Sequence, residues 1–124
     1  MKNSQEEENQ LIWNCVTTHE DNICSRECLM HSVLDLFGKR FTLLIIRLLL
    51  INKTMRFTEL EKKISGSSKT LTQRLRNLEK QGLVSRKVYN EIPLRVEYSL
   101  TEAGVALDEV FSTISEWVKQ WISK

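Results

Sequence analysis

The chain has 124 residues, 41% hydrophobic and 27% charged, with a formal net charge of +2; this fits one soluble globular domain with a single core. The small net charge hides a division: residues 39–95 carry 14 Lys and Arg against 4 Asp and Glu, residues 1–38 carry 2 against 7, and residues 96–124 carry 2 against 5. A membrane span and a secretory scaffold are both unexpected, because the most apolar run, Leu43–Ile51, is short and contains Arg47, the N-terminus is acidic, and the three cysteines are an odd, clustered set.

Residues 1–27 form an N-terminal extension, expected to be partly mobile or dimer-packing, with Leu11, Ile12 and Trp13 as its apolar group. Cys28–Phe37 has the apolar spacing of a helix, ended by Gly38. Phe41–Leu50 is nearly apolar all round and is expected to be a buried central helix, with Arg47 snorkelling or pairing at an edge. Thr58 and Glu61 form a T-x-x-E capping box for a third helix, Thr58–Ile64. Gly66 permits a tight turn, and Ser67 or Ser68 caps a fourth helix, Lys69–Gln81, whose Leu71, Leu75 and Leu78 face inward and which Gly82 ends. Leu83–Asn90 and Arg95–Leu100 alternate as strands around a turn at Glu91–Leu94, with Val84, Val88, Val96, Tyr98 and Leu100 as the buried side. Thr101 caps a last helix running to about Ile122; its wide stripe through Leu107, Val110, Phe111, Ile114, Trp117 and Trp121 reads as part core, part dimer surface.

Helix, Gly-containing turn, second helix and basic hairpin together are the layout of a winged helix-turn-helix, whose second helix enters the DNA major groove. A polyanion should meet the basic middle of the chain. On the fourth helix Ser68, Lys69, Thr70, Thr72, Gln73 and Arg76 are the candidates for base edges or phosphates: Arg bonds guanine at two points, Gln does the same to adenine, and the Thr methyl meets thymine. In the hairpin Arg86, Lys87 and Arg95 are candidate phosphate contacts, which fix position without reading sequence.

The run from Cys28 to Leu107 resembles the HxlR-type winged helix-turn-helix regulators. The matching pieces are Leu34–Ile46, RFTEL at 56–60, LTQRLRNLEKQGLVSRKVY at 71–89 and IPLRVEYSLTEAG at 92–104. Phe41 stands where the family usually has Trp, and Pro93-Leu94-Arg95 where it usually has Pro-Pro-Arg. The resemblance implies a homodimer, built from the N- and C-terminal helices, on a near-palindromic double-stranded DNA operator. It also implies an oxidant- or electrophile-sensing role for Cys28, because several relatives sense through a cysteine at this place. A helix N-terminus lowers a thiol pKa and favours the reactive thiolate, and Cys24 is a candidate resolving thiol. Cys28 as a small core residue is the alternative. A zinc site from Cys24, Cys28 and His31, with Cys15 and His19 nearby, lacks a standard spacing, so neither metal nor cofactor is expected.

The expected fold is mainly α with a small β-hairpin: a winged helix-turn-helix core over 28–104 and a C-terminal helix over 105–124. It carries no nucleophile–base set or phosphate-cradling loop, so the expectation is a cytoplasmic, sequence-specific, dimeric DNA-binding regulator and not an enzyme. The alternative is a winged-helix protein-interaction module or a nonspecific DNA-binding protein.

Overall fold

A computed structural model of the chain describes residues 29–123. The N-terminal extension, Cys15, Cys24, Cys28 and His19 lie outside the described residues. The chain divides between Arg40 and Phe41. On the N-terminal side is one described helix, α1 (Leu29–Gly38), in which Leu36 and Phe37 are half-buried while Val33 and Leu34 are exposed.

The second unit holds everything else in the order α2 (Thr42–Asn52), β1 (Thr54–Arg56), α3 (Phe57–Lys63), α4 (Ser68–Lys80), β2 (Val84–Tyr89), β3 (Arg95–Leu100), α5 (Glu102–Val105) and α6 (Leu107–Trp121). Its core is formed by Ile45, Ile46 and Leu49 of α2, Met55, Leu60, Ile64, the leucines Leu71, Leu75 and Leu78 of α4, and Val84 and Tyr98. The expected burial of the α4 leucines is therefore met.

Four details correct the sequence reading. First, α2 buries only one side, since Leu44, Arg47 and Ile51 are exposed. Phe41 precedes this helix in a left-handed conformation (φ 71°), and its ring occupies the space a Cβ on Gly66 would need, at 2.6 Å. Second, α3 starts earlier than expected. Glu59, not Glu61, serves as the capping acid by accepting from the Arg56 N–H (3.1 Å). Glu61 instead accepts from the Ser68 hydroxyl.

Third, the hairpin is part of a three-stranded antiparallel sheet in the order β1-β3-β2. The short strand β1 places Thr54 opposite Ser99, Met55 opposite Tyr98 and Arg56 opposite Glu97. Within the hairpin Val88 is 45% exposed rather than buried, although Val96 opposite it shares a cleft with Phe57 and Thr58 at the start of α3. Fourth, the last helix is two pieces, broken at Ala106. Thr101 caps the first by accepting from the Gly104 N–H (3.3 Å), and a Cβ on buried Gly104 would run into the Leu83 carbonyl oxygen.

Candidate nucleic-acid interface

The orientation of α4 is set at both ends by local chemistry. Ser67 Oγ accepts from the N–H groups of Lys69 (3.1 Å) and Thr70 (3.4 Å), satisfying two of the helix's free donors. At the other end Gly82 adopts φ 76°. Its N–H donates to the Glu79 carbonyl (3.0 Å), and the Leu83 N–H donates to the Leu78 carbonyl (3.0 Å). That pair of bonds is a Schellman closure, and it leads the chain directly into β2.

With Leu71, Leu75 and Leu78 buried, helical geometry puts Lys69, Gln73, Arg76 and Lys80 on the opposite side. They lie at i, i+4, i+7 and i+11, two residues out of phase with the leucines. All four are exposed. The stripe therefore contains three of the six residues expected from the sequence and adds Lys80, whose i+4 spacing from Arg76 was the available signal. Ser68 is exposed with its hydroxyl donated to Glu61. Thr70 and Thr72 are half-buried on the flank, and the Thr72 hydroxyl donates to the Ser68 carbonyl (2.8 Å). The turn between α3 and α4 is thus held by Ser67, Ser68 and Glu61, while the free charge and amide of Lys69, Gln73, Arg76 and Lys80 face outward.

The sheet register separates the three hairpin cations. Arg86 lies opposite Tyr98, which in turn lies opposite the buried Met55. Arg86 is exposed and shares a small cleft with Thr72, Arg76, Glu79 and Tyr98, so it extends the cationic surface of α4. Lys87 belongs to the other face of the ribbon, where it lies opposite Glu97, with Tyr89 opposite Arg95. The Lys87 Nζ is 5.0 Å from the centroid of the Tyr89 ring.

Arg95 is held within the hairpin. Its Nη2 is 3.3 Å from Glu91 Oε1 and its Nε is 3.5 Å from Glu97 Oε1. The guanidinium also stacks 3.9 Å from the Tyr89 centroid. The Nε is buried without a hydrogen bond, so its attraction to Glu97 is electrostatic rather than directional. Two carboxylates and a ring thus surround the cation expected to meet phosphate.

A second surface is apolar. α6 has no buried residue: Leu107 and Phe111 are half-buried, while Ile114, Trp117 and Trp121 are exposed. Among the described residues no group of three or more His, Cys, Asp or Glu is placed to hold a metal, and no helix is long and apolar enough to cross a membrane.

The sequence profile of the HxlR-like helix-turn-helix family matches residues 36–124. The HTH-type transcriptional regulator YvaP of Bacillus subtilis (strain 168) is 37% identical over 105 residues, covering 84% of this chain and 94% of that one. The HTH-type transcriptional regulator YodB of the same organism is 41% identical over 93 residues, covering 74% and 82%. The reduced form of YodB superposes with a TM-score of 0.67 at 39% identity, covering 81% of this chain and 95% of that one. YodB has also been solved diamide-treated and quinone-bound. The redox regulator HypR in its reduced form superposes with a TM-score of 0.64 at 34% identity, covering 72% and 88%.

Proposed function

The chain belongs to the HxlR-like helix-turn-helix family, and from that premise we infer that it is a homodimer reading an inverted-repeat operator through α4. It is a transcriptional regulator of the helix-turn-helix type and not an enzyme. The observation that carries the operator reading is the exposed stripe of Lys69, Gln73, Arg76 and Lys80 on the side of α4 opposite its buried leucines. Gln and Arg there have the bidentate geometry for adenine and guanine edges, and Lys69 at the N-terminal turn suits phosphate. Arg86 continues the stripe along the backbone, Lys87 adds charge from the outer face, and Arg95 holds the hairpin in shape.

The dimer reading rests on the apolar face of α6, from Leu107 and Phe111 to Ile114, Trp117 and Trp121, together with exposed Val33 and Leu34 of α1. A twofold dimer presents two copies of α4, and half-sites about 34–36 Å apart, one helical turn, or a multiple of it, match such symmetry. Two relatives solved under named redox conditions, YodB and HypR, support a thiol-responsive regulator here. Cys28 is then the sensing thiol and Cys24 its resolving partner. The reading places the protein in the cytoplasm, on the nucleoid.

Selection of binding sites from a random DNA pool, with and without a thiol oxidant, tests this reading. An enriched inverted repeat, weakened or altered by oxidant in a manner lost in Cys28→Ser, is the expected result. A pool with no enriched sequence rejects operator reading. An enrichment indifferent to oxidant rejects the thiol response alone.

A further inference from the structure

The tip of the hairpin has unusual chemistry for a surface that faces a polyanion. Ile92 is fully exposed, Leu94 is 61% exposed, and Pro93 between them is exposed as well. This is an apolar tip on a ribbon whose other side chains include cations; Pro93 and Leu94 also line a cleft with Phe57 and Thr58 of α3, and Ile92 projects furthest. The ionic groups beside the tip are engaged with one another: Arg95 sits between Glu91 and Glu97 and against Tyr89. That arrangement ties both carboxylates nearest the tip to one cation and holds them back along the ribbon. Further back on β2, Arg86 shares a cleft with Arg76 and Glu79 of α4. At a strand rise of about 3.3 Å per residue the tip lies roughly 10–20 Å beyond Arg86. That is far enough to pass a phosphate rail contacted at Arg86 and arrive at the next groove.

We propose that Ile92 and Leu94 form an apolar wedge that enters the minor groove flanking each half-site and favours flexible base steps there. This inference rests on the operator reading above. Apolar side chains that enter the minor groove partly unstack a base step and bend the duplex, and a flexible TA step costs less to open than a GC-rich one. The hairpin then supplies sequence preference through deformability, at base pairs α4 does not touch. Because the wedge carries no charge, its contribution is insensitive to salt, unlike that of Arg86 and Lys87.

The experiment uses the full-length chain and duplexes that share one site selected by the wild-type protein. They differ only in the flanking steps under the hairpin, TA in one and GC-rich in the other. Wild type is expected to prefer the TA flank by about tenfold, a size set by partial burial of one or two aliphatic side chains and by the cost of deforming the step. The double variant Ile92→Ser, Leu94→Ser is expected to lose that preference while keeping the wild-type slope of affinity against salt. Both residues are exposed, so its unfolding midpoint should match wild type, and Ile92→Ala, Leu94→Ala repeats the measurement without adding polar groups. An unchanged flank preference in the variants, no preference in wild type, or a loss that follows a rising monomer fraction overturns the wedge. Failure of the wild-type protein to select any site instead rejects the operator reading beneath it.

Discussion

Helices α4 and α6 are both strongly amphipathic, and they use that property differently. In α4 the leucine stripe Leu71, Leu75 and Leu78 is covered by the chain's own core. In α6 the stripe from Leu107 to Trp121 has no buried member, and Trp117 and Trp121 are more than half exposed. A periodic apolar face shows that a helix needs cover but not what supplies it. Cover from the same chain leaves Lys69, Gln73, Arg76 and Lys80 exposed on the polar side of α4. In α6 it is the apolar side that stays largely exposed, and the proposed dimer rests on that exposure.

The largest effect that would sharpen this contrast is in the α4 core. Leu78→Ala, at a fully buried position, should lower unfolding stability by about 2–5 kcal/mol in urea titration. Trp117→Ala should leave the stability of dilute protein nearly unchanged and raise the monomer fraction in sedimentation. If Trp117→Ala destabilises the dilute protein as Leu78→Ala does, the stripe of α6 packs within its own chain and the contrast fails. On the polar side of α4, Gln73→Ala and Arg76→Ala should each cost about 1–3 kcal/mol at the selected operator and relax base choice. Equal losses on random DNA would reduce the stripe to plain charge. Ser67→Ala, which removes the cap accepting from Lys69 and Thr70, should cost about 1 kcal/mol in thermal or urea unfolding. Smallest in energy is Lys87→Ala, expected to reduce the slope of log affinity against log salt by about 1 without changing site choice.

The helical frame and the outward polar stripe of α4 were readable in the sequence because their signals are local. The leucine period, the serine cap, the Gly82 stop and the concentration of cations each act within a few residues. What was missed depends on residues far apart. Three residues of β1 are too short for a strand period, and the strand exists because Thr54–Arg56 meets Glu97–Ser99 across more than forty residues of chain. The expected T-x-x-E box at Thr58 and Glu61 was a plausible local pattern. The tertiary turn took Glu61 for Ser68 and left Glu59 to cap. Val88 alternates like its buried neighbours, yet it is 45% exposed, because cover depends on what the fold brings against each strand position.

The hairpin cations show the same limit most sharply. Arg86, Lys87 and Arg95 are equivalent in a list of charges. Pairing places Arg86 beside α4 and Lys87 on the opposite face, and it encloses Arg95 between Glu91, Glu97 and Tyr89. The sequence by itself determined the winged helix-turn-helix frame, the inward leucines and outward Gln73 and Arg76 of α4, and the family, because helix period, caps and motif order are properties of short stretches. Only the tertiary structure decided the third strand, the break at Ala106, the confinement of Arg95 and the exposed apolar tip at Ile92 and Leu94. Strand register and side-chain cover are set by neighbours brought together through the fold, and no short window of sequence contains them.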